Sequence, residues 1–328
     1  MRAVRWNITV LAWAAASLAA LGPVSQAQDD SPALAACVRR LVGQLDSDRF
    51  EERERATREL FDMGLPVVAP LSAMREHASA EVRWRAKAVI DALTVGSLRR
   101  DLAEFAALSD ERLDIEHGMW LIARILDPTV KREPIGKALD GLAVRVATKL
   151  GKGSPAKADP EKVVAALHEV LFAGEGFTGN VADRYHPDNS SIAKVLATKR
   201  GLPIVLSHLT IAVGRRLNVP IVGVPLSGTY IVKYHGSQAP VGYPRDDIFF
   251  DPFAGGRILR TAEELDQAFP GQDAASEPPL DARDTLQRML RNLDAPLAER
   301  KDYDRLALVE EFAALLDAYS SSNLRPEP

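Results

Sequence analysis

Four side chains in the second half of the chain carry the chemistry of covalent catalysis: Ser207, His208, His235 and Asp251. A hydroxyl, an imidazole base and a carboxylate that orients it are the parts of an acyl-transfer triad. Ser207 and His208 cannot supply the first contact to each other, because neighbours on a helix point about 100° apart. Ser207 is therefore read as a small helix-packing residue and His208 as a helix-surface or core histidine. His235 sits at the far end of the strand that begins at Thr229 and is read as an exposed loop histidine, since reaching Asp251 would need a tight turn. Asp251 opens Asp-Pro-Phe-Ala-Gly-Gly-Arg, where a carboxylate can accept backbone N–H groups in the turn that ends a strand. Cys37 is the single cysteine. Its spacing with Leu34, Leu41 and Leu45 puts it on the apolar side of a helix, which makes it a buried thiol before a nucleophile. No internal disulfide can form.

Other polar positions are weaker candidates. His186 lies between Tyr185 and Pro187, and Asn189 is expected to cap a helix starting near Ser190, with Ser191 as the rival cap. Phe177, Tyr185 and Tyr230 are aromatic residues that either line a groove for an extended peptide or form a second core. Gly255-Gly256-Arg257 lacks the Lys-Ser/Thr ending of a phosphate loop, so nucleotide binding is not expected. The histidines, His77, His117, His168, His186, His208 and His235, are scattered, and neither a metal site nor any other cofactor is expected.

These residues must be positioned by helices and a small sheet. The chain has 328 residues, 46% of them hydrophobic, enough for one large domain or two to three smaller ones. Arg2 and Arg5, the apolar run Val10 to Leu21 and Ser25-Gln26-Ala27 read as a secretory signal over residues 1–27, which places the mature protein outside the cytoplasm, periplasmic or secreted. The run is shorter than the roughly 20 residues that span a bilayer, and no later segment reaches that length, so no membrane span is expected after signal removal. Removing the signal takes away two arginines and no acid, moving the formal net charge from −4 to about −6, which gives no electrostatic footprint for nucleic acid.

Residues 28–97 read as an array of antiparallel helices. Asp48 with Glu51 resembles a capping box, Gly64 ends the first helix, another starts after Pro66, and a third starts near Ser79 with Val82, Ala86, Ile90 and Leu93 on one stripe. Ile135, Leu139, Leu142, Val146 and Leu150 mark a later helix with one buried face. The period then changes: Pro220 to Pro225, Thr229 to Tyr234 and Ile248 to Asp251 are candidate strands of one antiparallel sheet, after a helix over about Ile204 to Leu217. Residues 270–281 read as a linker, 282–319 as a helical hairpin turning near Ala298 to Asp302, and 320–328 as a disordered tail. Arg39-Arg40 and Arg215-Arg216 read as solvated helix faces.

Five motifs stand in order between Gly176 and Arg257: Gly176-Phe177-x-Gly179-Asn180, Pro187-x-Asn189-Ser190, Arg200-Gly201-x-Pro203-Ile204, Arg215-Arg216-Leu217-Asn218-Val219-Pro220, and Asp251-Pro252-Phe253-x-Gly255-Gly256-Arg257. Together they resemble the transglutaminase-like core of the SirB-type bacterial family. The stretch from Leu45 to Leu93 resembles a HEAT-like repeat, and the closing hairpin is similar to the tetratricopeptide-like tail common in that family. The resemblance implies a papain-like core over 98–269 whose active members place a Cys at the start of the central helix, a His on the next strand and an Asp on the strand after it. Here those positions hold Val205, Thr229 and Asp251, so nucleophile and base are both missing. In a comparable serine triad, loss of either alone lowers turnover by about 10⁶. The expectation is a mainly helical α+β protein with a degenerate transglutaminase-like core flanked by helical repeats, exported, leaning away from enzymatic activity, and binding a protein or peptide partner. The competing expectation is a transglutaminase or cysteine-peptidase type enzyme that uses displaced residues, Ser207 with His208 or His235 and Asp251.

Overall fold

The computed structural model describes residues 32–320. The expected signal segment and the tail beyond Ser320 lie outside the described residues. The fold is mainly helical α+β, and the chain divides into a unit ending at Asp101 and a second beginning at Leu102.

In the first unit, α1 (Pro32–Leu45), α2 (Phe50–Asp62) and the short α3 (Val68–Ser72) precede α4 (Ala80–Ala106), whose last turn belongs to the second unit. Gly64, at φ 75°, lets the chain leave α2 in a conformation that a side chain would resist. Leu41, Leu45, Leu60, Leu71, Val82 and Ala86 form a common core, and Cys37 is half-buried against it. The Asp48–Glu51 capping box does not form. Arg49 precedes the helix with no side-chain cap, and Ser47 Oγ instead accepts from Arg49 N–H at 3.1 Å and donates to Glu52 at 2.7 Å.

The second unit is built around α9 (Pro203–Arg216), in which every residue from Pro203 to Gly214 is buried. That burial explains its near-continuous apolar sequence, since a helix covered on all sides shows no polar face. Before it come α5 (Ile115–Leu126), capped by Asp114, then α6 (Arg132–Leu150), α7 (Pro160–Leu167) with a π-helical turn to Gly174, and α8 (Ile192–Thr198). Two-residue strands β1 (Thr178–Gly179) and β2 (Arg200–Gly201) pair in parallel. After α9 the chain makes an antiparallel meander of β3 (Ile221–Leu226), β4 (Thr229–Tyr234), β5 (Ile248–Asp251) and β6 (Arg257–Leu259). β6, β1 and β2 escape sequence reading because two or three residues carry no measurable alternation.

One face of the meander meets α9. The other is closed by Val224, Ile231, Phe249 and Leu259 together with Ala274 and the half-buried Leu265 and Phe269, the last two at α10 (Ala262–Ala268) and just beyond it. The segment 270–281 is accordingly not a free spacer: Ala274 is buried, and the Gln272 side-chain oxygen accepts from Ser227 N–H at 2.6 Å. The chain closes with α11 (Ala282–Glu299) and α12 (Tyr303–Ala318). Buried Arg283 ties this hairpin to the rest of the unit, donating to the carbonyls of Ala106, Leu108 and Leu316 and pairing with Asp110. Arg216 is not a solvated cation either. Its guanidinium grips Glu116 through two bonds of 2.7 and 2.9 Å and Asp140 through a third of 2.6 Å, fastening the end of α9 to α5 and α6.

Candidate functional site

Four of the five sequence motifs converge on one knot beside the start of α9, and the fifth, Arg215 to Pro220, lies at its far end. Gly179 pairs with Gly201 and its N–H donates to the Phe253 carbonyl at 2.8 Å, while Thr178 Oγ1 donates to the same carbonyl at 3.1 Å. A methyl group at Gly179 would lie 2.3 Å from the Phe253 ring, so the glycine is what allows the Asp-Pro-Phe turn to close. Asn189 is buried and caps no helix. Its amide donates to the carbonyls of Asp183 and Arg184 at 2.7 and 3.1 Å, and its oxygen accepts from Asn180 at 3.0 Å. The short helical turn after His186 is capped by His186 Nδ1, which accepts from Asp188 N–H at 3.2 Å. Ser191 precedes α8 without making a side-chain cap.

The three expected triad positions hold an aliphatic side chain, a hydroxyl and a carboxylate. Val205 is apolar and 1% exposed, on the first turn of α9. Thr229 opens β4, facing the two-residue turn Ser227-Gly228. Asp251 Oδ1 accepts from Phe253 N–H at 2.9 Å, and Ala254 N–H adds a second backbone bond. Burial raises the Asp251 carboxyl above its ordinary value, with the two backbone N–H groups and Arg257 opposing that shift. Strand alternation puts Asp251 on the face of Phe249, away from the face that α9 covers.

A cavity of about 800 Å³ opens where α9 begins. Leu202, Pro203 and Ile204 form its floor, the turn from Pro225 to Tyr230 forms one wall, and Tyr185 with the Arg184, Arg288 and Arg291 side chains completes it. Pro203 at the first helical position has no N–H to leave unpaired, a standard fit to a helix start. Of the three aromatic residues that either line a groove or form a second core, Tyr185 is 70% exposed at the cavity, Phe177 is 1% exposed in the core, and Tyr230, also 1% exposed, is a core residue that borders the cavity wall.

Residues 133–291 match a family model described as the transglutaminase-like superfamily. This segment is a transglutaminase-like domain. A UPF0162 protein of Xylella fastidiosa is 34% identical over 155 residues, which cover 44% of this chain and 52% of that protein. F-box only protein 21 of Mus musculus is 31% identical over 147 residues, 44% of this chain and 23% of that protein. A UPF0162 protein of Pseudomonas aeruginosa is 24% identical over 242 residues, 60% of this chain and 84% of that protein. The chain thus spans about half the length of the Xylella relative and under a quarter of the mouse one. No solved structure matches.

Within the transglutaminase-like domain the displaced candidates do not assemble. Ser207 Oγ is fully buried and donates to the Tyr230 carbonyl at 2.9 Å. His208 stacks 5.3 Å from the Tyr230 ring, and burial, then Arg215, lower its imidazole to about 3. An imidazole that weakly basic does not take a proton at neutral pH. His235 is half-buried rather than an exposed loop residue. Its Nδ1 lies 3.3 Å from Asp247 Oδ1, and Ser237 Oγ lies 3.1 Å from its Nε2. The order hydroxyl, imidazole, carboxylate is that of a triad, yet none of the three lines the cavity. Asp247 is also matched by buried Lys233 at 2.7 Å and by Gly236 N–H at 2.8 Å. Burial opposes its ionisation, but these bonds hold its carboxyl below the usual range. The cluster locks the end of β4. The arginines of the cavity were not legible as a site, because Arg184 lies about a hundred residues from Arg288 and Arg291; the only local hint is the one-face spacing of the latter pair on a helix.

Proposed function

We propose that this is an exported, non-catalytic polypeptide-binding protein of SirB type, in which the cavity at the start of α9 replaces an active site. The observation that carries the reading is Val205: the position of the nucleophile is a buried aliphatic side chain, and the strand position of the base is Thr229. Ser207 is spent on a backbone carbonyl and Asp251 on backbone amides, and His186, the imidazole that lines the cavity, has its Nδ1 engaged by Asp188 N–H. What remains is a concave surface on a rigid helix start and a tight hairpin, with exposed Tyr185 beside it, and such surfaces hold extended chains. The HEAT-like residues 28–97 and the tetratricopeptide-like hairpin 282–319 supply further helical surfaces in this reading.

The test is panning of a displayed random-peptide library on the full chain and on Thr229→Trp, which places a bulky ring in the cavity wall. Peptides that bind the parent and lose binding to the variant support the proposal. No enrichment, or enrichment indifferent to the variant, overturns it. Incorporation of a fluorescent amine into casein, or casein cleavage, that disappears in Asp251→Ala would overturn the non-catalytic half.

A further inference from the structure

The cavity of the transglutaminase-like domain is lined by three guanidinium groups, Arg184, Arg288 and Arg291, and by no carboxylate. Arg184 donates to the Gly228 carbonyl at 3.0 Å and lies 5.3 Å over the Phe253 ring. Arg288 donates from Nη2 to the carbonyls of Leu226 and Thr229 and lies 5.4 Å over the Tyr230 ring. Both side chains are therefore held in place by neutral groups, which orient a guanidinium without cancelling its charge. Each keeps N–H donors beyond those bonds, since a guanidinium carries five. Arg291 forms no ion pair among the described residues, although Asp284 and Asp294 feel its field.

Arg288 is half-buried with only neutral partners, an unfavourable state that an anion relieves, while Arg184 and Arg291 stand exposed at the rim. Burial lowers the Arg288 guanidinium below its ordinary value, Arg291 adds to that, and Tyr230 opposes it. The positive end of α9 points into the same space, adding to the guanidinium field. Strand addition is disfavoured, because Pro225 stands on edge strand β3 in the cavity wall and has no N–H to offer. Recognition must then come from the guest's charged groups.

We propose that this cavity binds a carboxylate of an acidic polypeptide segment, clamped between Arg184, Arg288 and Arg291. The inference rests on the polypeptide-binding reading and adds the chemistry of the occupant.

The test is fluorescence anisotropy of the full chain with a labelled ten-residue peptide of alternating glycine and glutamate, its glutamine twin, and both with free or amidated C-termini. The glutamate peptide is expected to bind at least tenfold tighter than the glutamine peptide. Arg184→Gln and Arg291→Gln should each weaken it three- to tenfold with unchanged melting temperature, and binding should weaken as salt rises. If amidation removes the preference, the carboxylate recognised is the chain terminus; if it does not, it is the side chain; both support the inference. Equal binding of the two peptides overturns the inference while leaving polypeptide binding intact. Acidic binding unaffected by either arginine variant, or displaced by inorganic phosphate at far lower concentration than by acetate, overturns it as well. If library peptides bind the parent in a cavity-dependent way but the glutamate peptide does not, the carboxylate inference fails alone.

Discussion

Replacing His208 by leucine should remove a pH dependence from the stability of this protein. The imidazole is buried on α9, its Nε2 has no hydrogen-bond partner, and its pKa is lowered from 6.5 to about 3 by burial and then by Arg215. In the unfolded chain the same group titrates near 6.5. Between those values the unfolded chain binds a proton that the folded chain cannot, so stability is lost as pH falls below about 6.5. The loss grows by about 1.4 kcal/mol per pH unit, which gives roughly 2 kcal/mol between pH 7.5 and pH 5.0. His208→Leu lacks this contribution. At pH 7.5 the variant should lie within about 1 kcal/mol of the parent, since volume is nearly kept and a buried unpaired nitrogen is removed. At pH 5.0 it should exceed the parent by roughly 2 kcal/mol. Urea unfolding of both proteins at both pH values measures the double difference, in which other titrating groups cancel. Asp251, whose raised pKa favours the folded state as acid is added, is one of these. Parallel pH profiles, within about 0.5 kcal/mol, would refute the reasoning and return His208 to the list of possible bases.

Four further outcomes follow from the same geometry. Gly256→Ala forces a side chain at φ 76° and places its methyl group 2.1 Å from the Phe172 ring, so urea unfolding should show a loss of roughly 3 kcal/mol; a loss under about 1 kcal/mol would mean the turn simply rearranges. Gly136→Ala in α6, with no atom within 4 Å of the added methyl, is the control and should be neutral or stabilising. Val205→Cys with Thr229→His, in a Cys37→Ser background, should give a thiol that reacts with Ellman's reagent only on unfolding and no amine incorporation, because the helix position is 1% exposed; rapid labelling of the folded protein would contradict this. Arg216→Gln should cost roughly 2 kcal/mol in urea unfolding by leaving Glu116, 20% exposed, without its bidentate partner, whereas a change below about 0.5 kcal/mol would restore the solvated-face reading.

Elements long enough to show a period could be read from the chain, and those that depend on pairing could not. Thr229–Tyr234 and Ile248–Asp251 appear at the boundaries that alternation predicts, because each has one face on the core and β-branched or aromatic residues along it. The first strand slips by one residue, from Pro220–Pro225 to Ile221–Leu226, since proline marks its start without fixing its register. Asp48 failed as a cap because Ser47 reached Glu52 first, a choice between two short polar side chains that spacing cannot rank. The choice between groove and second core for Phe177 and Tyr230 stayed open because aromatic type does not tell which side is covered, and the covering elements come from residues far along the chain. The cavity arginines are a stronger case of the same limit, being joined only by the fold.

The motif residues that survive in this chain explain why family likeness here reports architecture before chemistry. Gly179, Asn189, Gly201, Asp251 and Gly256 hold one another through backbone pairing, amide bonds and close contacts that a single methyl group would break. None of those roles needs a nucleophile. Val205, by contrast, is packed in the core and Thr229 opens β4 beside the hairpin turn, and neither takes part in those bonds. The contacts that stabilise this core are thus separable from the groups that covalent chemistry would need. The proposed binding role draws on the same separation: the helix start, the hairpin turn and the guanidinium groups pinned to it are held by backbone carbonyls and packing, so a pocket built from them stands without any catalytic group.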